Sequence, residues 1–90
     1  MKHLNIKVIG RVQGVGFRYS ALHMARNLNL KGFVRNNPDG SVYIEAEGDE
    51  ENLNIFTDWC RNSPGGSRVD RALITEGPMR NFEDFSVNFF

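Results

Sequence analysis

The stretch Leu4-Asn5-Ile6-Lys7-Val8-Ile9, running into Gly10-Arg11-Val12-Gln13-Gly14-Val15-Gly16 and then Phe17-Arg18, is the part of the chain from which the fold can be read. Leu4, Ile6 and Val8 alternate with Asn5, Lys7 and Ile9, the period of a half-buried strand. The glycine-studded run that follows keeps no period and reads as a loop. From Phe17 the spacing changes: Phe17, Ala21, Met24, Ala25 and Leu28 lie along one helical face. Lys31-Gly32 reads as the stop signal of that helix.

Working outward, Phe33 to Asn37 reads as a short strand, Asn37-Pro38-Asp39-Gly40 as a turn, and Val42, Ile44 and Ala46 alternate with Tyr43, Glu45 and Glu47 as the second arm of a hairpin. Asp49 is placed to cap a second helix, with Glu50 and Glu51 in its first turn, where the helix dipole favours them. Leu53, Phe56 and Cys60 mark its apolar face, widened by Ile55 and Trp59. Ser63-Pro64-Gly65-Gly66 breaks this helix, Val69 to Thr75 reads as a strand, Gly77-Pro78 turns, and Phe85, Val87 and Phe89 alternate as a final strand, with Phe90 extending the apolar tail. The order is βαββαβ plus an extra C-terminal strand. Two helices cannot shield both faces of so small a sheet, so the expected architecture is an α+β, ferredoxin-like sandwich with an antiparallel sheet and both helices on one face. Right-handed crossovers are expected to place the first and third strands side by side and parallel at the centre. No linker, repeat or low-complexity segment interrupts residues 1–90, which read as one domain.

Eleven Lys plus Arg against eleven Asp plus Glu give a formal net charge of zero. Nucleic acids and anionic membranes usually demand a basic excess, so neither is the expected partner. Lys31-Gly32-Phe33 opens like an RNA-recognition motif, but Val34-Arg35-Asn36 does not continue it. One cysteine excludes an internal disulfide, and with His3 and His23 far from it there is no metal-ligand spacing. No signal peptide and no run near ~20 apolar residues can be found, so a soluble, cytoplasmic protein is expected. Cys60 reads as a core thiol, His3 as part of a frayed start, and His23 as either solvent-facing or structural. Glu45, Glu47, Asp49, Glu50 and Glu51 read as a solvated strand edge and helix start.

A glycine loop between a strand and a helix, with Arg18 in the first helical turn, is a chemically suggestive arrangement. Curled backbone N–H groups and the helix start form an anion cradle, and a guanidinium fork matches two phosphate oxygens. The loop lacks the Gly-Lys-Ser/Thr ending of a Walker A motif, and Gly14-Val15-Gly16 lacks the third glycine of a dinucleotide fingerprint. Physical reasoning alone leaves a second reading open, in which Gly14 and Gly16 only form a tight turn and Arg18 is a surface arginine. Asn36, beside the hairpin turn, reads on the same grounds as turn-forming.

The run Gly10 to Arg18 closely resembles the phosphate-loop signature of the acylphosphatases, of the form GxVQGVxFR. The resemblance continues through Gly32-Phe33-Val34-Arg35-Asn36 and Asp39-Gly40-Ser41-Val42, which look like that family's second signature. It extends through Trp59-Cys60-Arg61-Asn62-Ser63-Pro64 and Val69, with Ser63 standing where the family commonly has glycine. The resemblance implies a ferredoxin-like enzyme that hydrolyses the carboxyl-phosphate bond of acyl phosphates, with no metal and no cofactor. It implies that Arg18 binds phosphate, that Asn36 is catalytic, and that backbone N–H groups of Gln13, Gly14, Val15, Gly16 and Phe17 hold the phosphate. The expected partner is a small acyl phosphate and the expected state a monomer. The residue types fit that chemistry. A carboxylate leaving group with a pKa near ~4 needs no general acid, and an asparagine amide, unable to act as a base, can align a water. Two alternatives stand beside this reading. One is a non-catalytic phosphate-binding regulatory domain. The other is a module like the acylphosphatase-like N-terminal domain of the hydrogenase-maturation carbamoyltransferases, which handle carbamoyl phosphate. Asn36 separates catalyst from binder, since pure binding needs the cradle and Arg18 but no water-orienting amide.

Overall fold

Alternation along strand β1 (Lys2–Arg11) sends Ile6 and Val8 into a fully buried layer. The structure is a computed structural model and describes residues 1–88. Helix α1 (Phe17–Asn27), strands β2 (Lys31–Asn36) and β3 (Val42–Gly48), helix α2 (Glu50–Arg61) and strands β4 (Arg68–Gly77) and β5 (Phe85–Asn88) follow in that order. The strands form one sheet in the order β4-β1-β3-β2-β5. Phe17, Ala21 and Ala25 of α1 and Leu53, Phe56 and Cys60 of α2 join Val34, Val42, Ile44 and Ala46 in a single core. The α+β sandwich with an extra terminal strand is as expected.

The neighbours β1 and β3 are as expected, but their direction is not: they pair antiparallel, with Ile6 opposite Ile44. The crossover through α1 makes β1 and β2 parallel and leaves room for one strand between them. Strand β3 returns from β2 by a tight hairpin, so it fills that gap running against both. Strand β5 pairs parallel with β2, which makes the sheet mixed rather than wholly antiparallel.

Other expectations shift as well. Lys31-Gly32 does not stop α1 but lies inside β2. The helix ends at Leu28, where Asn29 takes a left-handed φ of 56° and the N–H groups of Asn29 and Leu30 donate to Arg26 O and Ala25 O at 3.0 and 2.9 Å. This is a Schellman end with asparagine in the usual glycine position. Gly32 serves close packing instead: a Cβ there would lie 1.8 Å from the Glu45 carbonyl oxygen. On α2, Ile55 is exposed and does not widen the apolar face, whereas Trp59 packs on Phe56 and Phe17. Cys60 is buried, and burial pushes its thiol up to about 12. His23 faces solvent. The tail residues Phe89 and Phe90 lie outside the described residues.

The largest departure concerns the sheet face away from the helices. His3 is not frayed and Glu45 and Glu47 are not solvated: they are 2%, 8% and 2% exposed. Strand β3 lies at the sheet centre, and the connection 78–84 between β4 and β5 covers its outward side through Arg80 and Phe82. Asp49, Glu50 and Glu51 are exposed, as expected of a helix start.

Candidate active site

Past the β1 irregularity between Ile9 and Gly10, the chain buries Val12 and then turns through residues 13–16 into α1. Gly14 and Gly16 hold φ of 76° and 77°, and beyond their own chain neighbours no atom of the described residues lies within 4 Å of where a Cβ would sit on either. A side chain is therefore disfavoured by backbone conformation and not by crowding. Gly16 is the N-cap of α1 and supplies no side-chain cap. The helix ladder begins with Ser20 N–H donating to Gly16 O at 3.1 Å, so the preceding amides of the first turn point out of the helix end. They point with the positive end of the helix dipole, a physical basis for anion binding.

The loop borders a cavity of about 160 Å³ lined by Val12, Gly14, Gly16, Phe17, Arg18, Tyr19 and Asn36. Arg18 and Asn36, 18 positions apart in the chain, thus face one space, brought together because β1 and β2 run parallel at either side of β3. Arg18 Nη1 donates to the Asn88 carbonyl of β5 at 3.2 Å, which orients the guanidinium. Asn36 ends β2 on the helix-side face, in line with buried Val34, while Arg35 turns outward over the Tyr43 ring at 4.9 Å. The Asn36 Oδ1 is buried and has no hydrogen-bond partner among the described residues. A buried orphan acceptor costs about 1–3 kcal/mol, so its retention calls for a use.

Gln13 and Val15 do not line the cavity with their side chains. Val15 packs against the core. The Gln13 amide donates to Asn37 O and Ser41 O at 2.8 and 2.9 Å and so clamps the hairpin turn to the loop. That turn is also tied internally by Asn37 N–H to Ser41 O at 2.8 Å and by Asp39 accepting from Ser41 N–H and Oγ–H. Those bonds, with Lys7 at 2.9 Å, hold the Asp39 carboxyl well below the usual range. The position of Asn36, one residue before the turn, is thereby fixed relative to the glycine loop. Sequence reasoning missed both the Gln13 clamp and Tyr19. A polar residue inside a glycine loop was the only trace of the first, and an aromatic adjoining Arg18 the only trace of the second.

A glycine loop, a helix N-terminus, an arginine and an amide with an unpartnered oxygen meet at one small cavity of an α+β sandwich. The sequence model of the acylphosphatases matches residues 4–87, and the chain belongs to the acylphosphatase family. It is 42% identical over 90 residues to an acylphosphatase of Thermotoga petrophila, covering 100% of both chains. The crystal structure of acylphosphatase from Bacillus subtilis superposes with a TM-score of 0.94 at 39% identity, over 98% of this chain and 99% of that one. Full-length HypF in a phosphate- and nucleotide-bound form is similar over 97% of this chain but 12% of its own, with a TM-score of 0.87 and 31% identity. The activity is that of an acylphosphatase, hydrolysis of acyl phosphates to a carboxylate and inorganic phosphate.

Proposed function

We propose that this enzyme works without a metal or cofactor, by in-line attack of a water that Asn36 aligns on a phosphoryl group held by Arg18 and by the backbone N–H groups of Gln13, Gly14, Val15, Gly16 and Phe17. The observation that carries this reading is Asn36, which lines the cavity with Gly14, Gly16 and Arg18 and whose Oδ1 has no hydrogen-bond partner among the described residues. A water donating one hydrogen to that oxygen has a lone pair to direct at phosphorus. The new P–O bond forms as the bond to the acyl oxygen breaks. The leaving group departs as a carboxylate, which needs no proton. The water's protons pass to phosphate oxygens or solvent. The loop amides meet the charge that grows on the equatorial oxygens, where preorganised donors act most strongly, and Arg18 holds those oxygens in ground and transition states alike.

The remaining features of the reading are a single acylphosphatase-like unit spanning residues 1–90, a cytoplasmic monomer, and a small acyl phosphate rather than nucleic acid as partner. Zero formal charge supports the last point. Among the described residues no helix is long and apolar enough to cross a membrane.

Benzoyl phosphate hydrolysis by the purified protein, with and without EDTA, tests the mechanism. Turnover is expected and EDTA leaves it unchanged; loss of turnover in EDTA contradicts the metal-free route. Asn36→Ala is expected to lower kcat by about 10²–10³-fold with the melting temperature retained, the scale of losing one transition-state hydrogen-bonding group. Unchanged kcat would remove Asn36 from the mechanism.

A further inference from the structure

On the sheet face away from the cavity, His3, Asn5, Glu45 and Glu47 form a polar cluster beneath residues 78–84. Glu47 is its hub. Its Oε1 accepts Phe82 N–H at 3.0 Å, and its Oε2 accepts both Arg80 N–H at 2.5 Å and the His3 ring through Nδ1 at 2.7 Å. His3 Nε2 meets Asn5 Oδ1 at 2.9 Å and Glu45 Oε1 at 3.1 Å. Both ring nitrogens therefore face acceptors, which suits the imidazolium, since a neutral ring donates only once. The Phe82 ring stacks on His3 at 5.9 Å and meets Phe33 edge-on at 5.8 Å. Arg80 Nη1 reaches Glu45 Oε1 at 3.4 Å, and Lys31 of β2 is the register partner of Glu47.

The segment so anchored leads directly into β5. Asp84 O accepts Gly32 N–H at 2.8 Å, and among the described residues of the strand that follows Phe85 is the one fully buried side chain. Pairing with β2 is not its only hold. Two arginines of α1, two helical turns apart, donate to its carbonyls: Arg26 to Phe85 O at 3.1 Å and Arg18 to Asn88 O at 3.2 Å. A continuous run of hydrogen-bonded parts thus joins a buried carboxylate on one sheet face to the cavity arginine on the other.

We propose that Glu47 is a positioning residue for the active site: by fixing residues 80–82 it sets the path of β5, and the Asn88 carbonyl then holds the Arg18 guanidinium toward the phosphate. The proposal rests on the reading of Arg18 as the phosphate-binding residue. Glu47 touches neither substrate nor cavity. Because Arg18 meets the phosphate in ground and transition states alike, its misplacement raises KM more than it lowers kcat.

The test uses the full chain with inorganic phosphate as the probe. It measures phosphate Kd by calorimetry, the Arg18 side-chain 15Nε resonance assigned through Arg18→Gln, and KM and kcat for benzoyl phosphate. Glu47→Ala is expected to weaken phosphate about tenfold, the scale of one lost hydrogen bond, to shift the Arg18 resonance, and to raise KM with kcat nearly unchanged. Glu47→Gln, which keeps the side chain's size and one acceptor oxygen, is expected to fall between parent and Glu47→Ala. If Glu47→Ala does not fold, Glu47→Gln decides, since it replaces only one carboxylate oxygen. A folded Glu47→Ala, or failing that a folded Glu47→Gln, with the parent's phosphate Kd and Arg18 resonance overturns the proposal. If Arg18→Gln itself binds phosphate as the parent does, the reading of Arg18 fails instead, and the resonance in the Glu47 variants still decides whether the connection sets that side chain.

Discussion

The glycine loop and the outer sheet face are built from opposite materials. The loop exposes backbone N–H groups and keeps one amide oxygen unpartnered, while the outer face buries a carboxylate whose oxygens take donors from β1 and from the connection 78–84. One region leaves its polar groups incompletely satisfied and the other satisfies them against its own chain. Incomplete satisfaction leaves room for a ligand. Full satisfaction fixes the position of the chain that supplies the donors.

The sharpest way to break this contrast is at Arg18. Arg18→Gln is expected to lower kcat/KM by about 10³-fold and abolish phosphate binding, because a neutral amide cannot replace the charged fork. Steady-state turnover and phosphate calorimetry check this, and near-parent affinity would place the phosphate elsewhere. On the outer face the corresponding change acts on stability. His3→Leu leaves Glu47 buried without its cation and is expected to cost about 3 kcal/mol in urea unfolding.

The same pair carries a pH dependence. Burial alone lowers the His3 pKa, but Glu47, Asn5 and Glu45 outweigh it and hold the value above its ordinary 6.5. Its contribution is full below pH 6.5 and is lost as pH rises through the raised value. Burial likewise pushes the Glu47 pKa up, yet the Arg80 and Phe82 N–H groups and His3 bring it below its ordinary 4.5. That contribution holds above pH 4.5 and is lost as pH falls through the lowered value. The parent's stability advantage over His3→Leu is therefore expected to be largest between about pH 4.5 and 6.5, measured as unfolding free energy against pH. An advantage that grows steadily toward pH 9 would contradict the imidazolium.

Smaller effects test the supports of each region. Gln13→Ala removes two hydrogen bonds from the clamp between loop and turn and is expected to cost about 1–2 kcal/mol, with kcat falling because Asn36 is no longer held in register. Equal kcat with reduced stability would confine Gln13 to a structural role. Asn29→Gly relieves a left-handed asparagine at the end of α1 and is expected to stabilise by a few tenths of a kcal/mol without touching turnover.

The helix-side half of the molecule was legible in the sequence because its signals are local. Periodicity and turn signals together located the helices and strands, and the glycine loop with Arg18 suggested an anion site within nine consecutive residues, beside the reading of a plain tight turn. Asn36 was recognisable only through resemblance, since an asparagine beside a turn has an ordinary conformational explanation. His3, Glu45 and Glu47 were misread for a related reason. A polar residue at every second strand position is the pattern of a solvated face, and nothing near them in sequence signals that residues 78–84 cross over them.

Strand direction shows the same division. Local pattern identified β1, β2 and β3, but the antiparallel pairing of β1 with β3 follows only once the crossover and the hairpin are combined in space. Backbone conformation and amphipathic spacing are properties of neighbouring residues, so the amino-acid order alone specified the loop, the helices and the arginine. Burial of a charge depends on which distant segment arrives to cover it. The Glu47 cluster, the partnerless Asn36 oxygen and the hold of β5 on Arg18 were therefore decided by the packing of the whole chain.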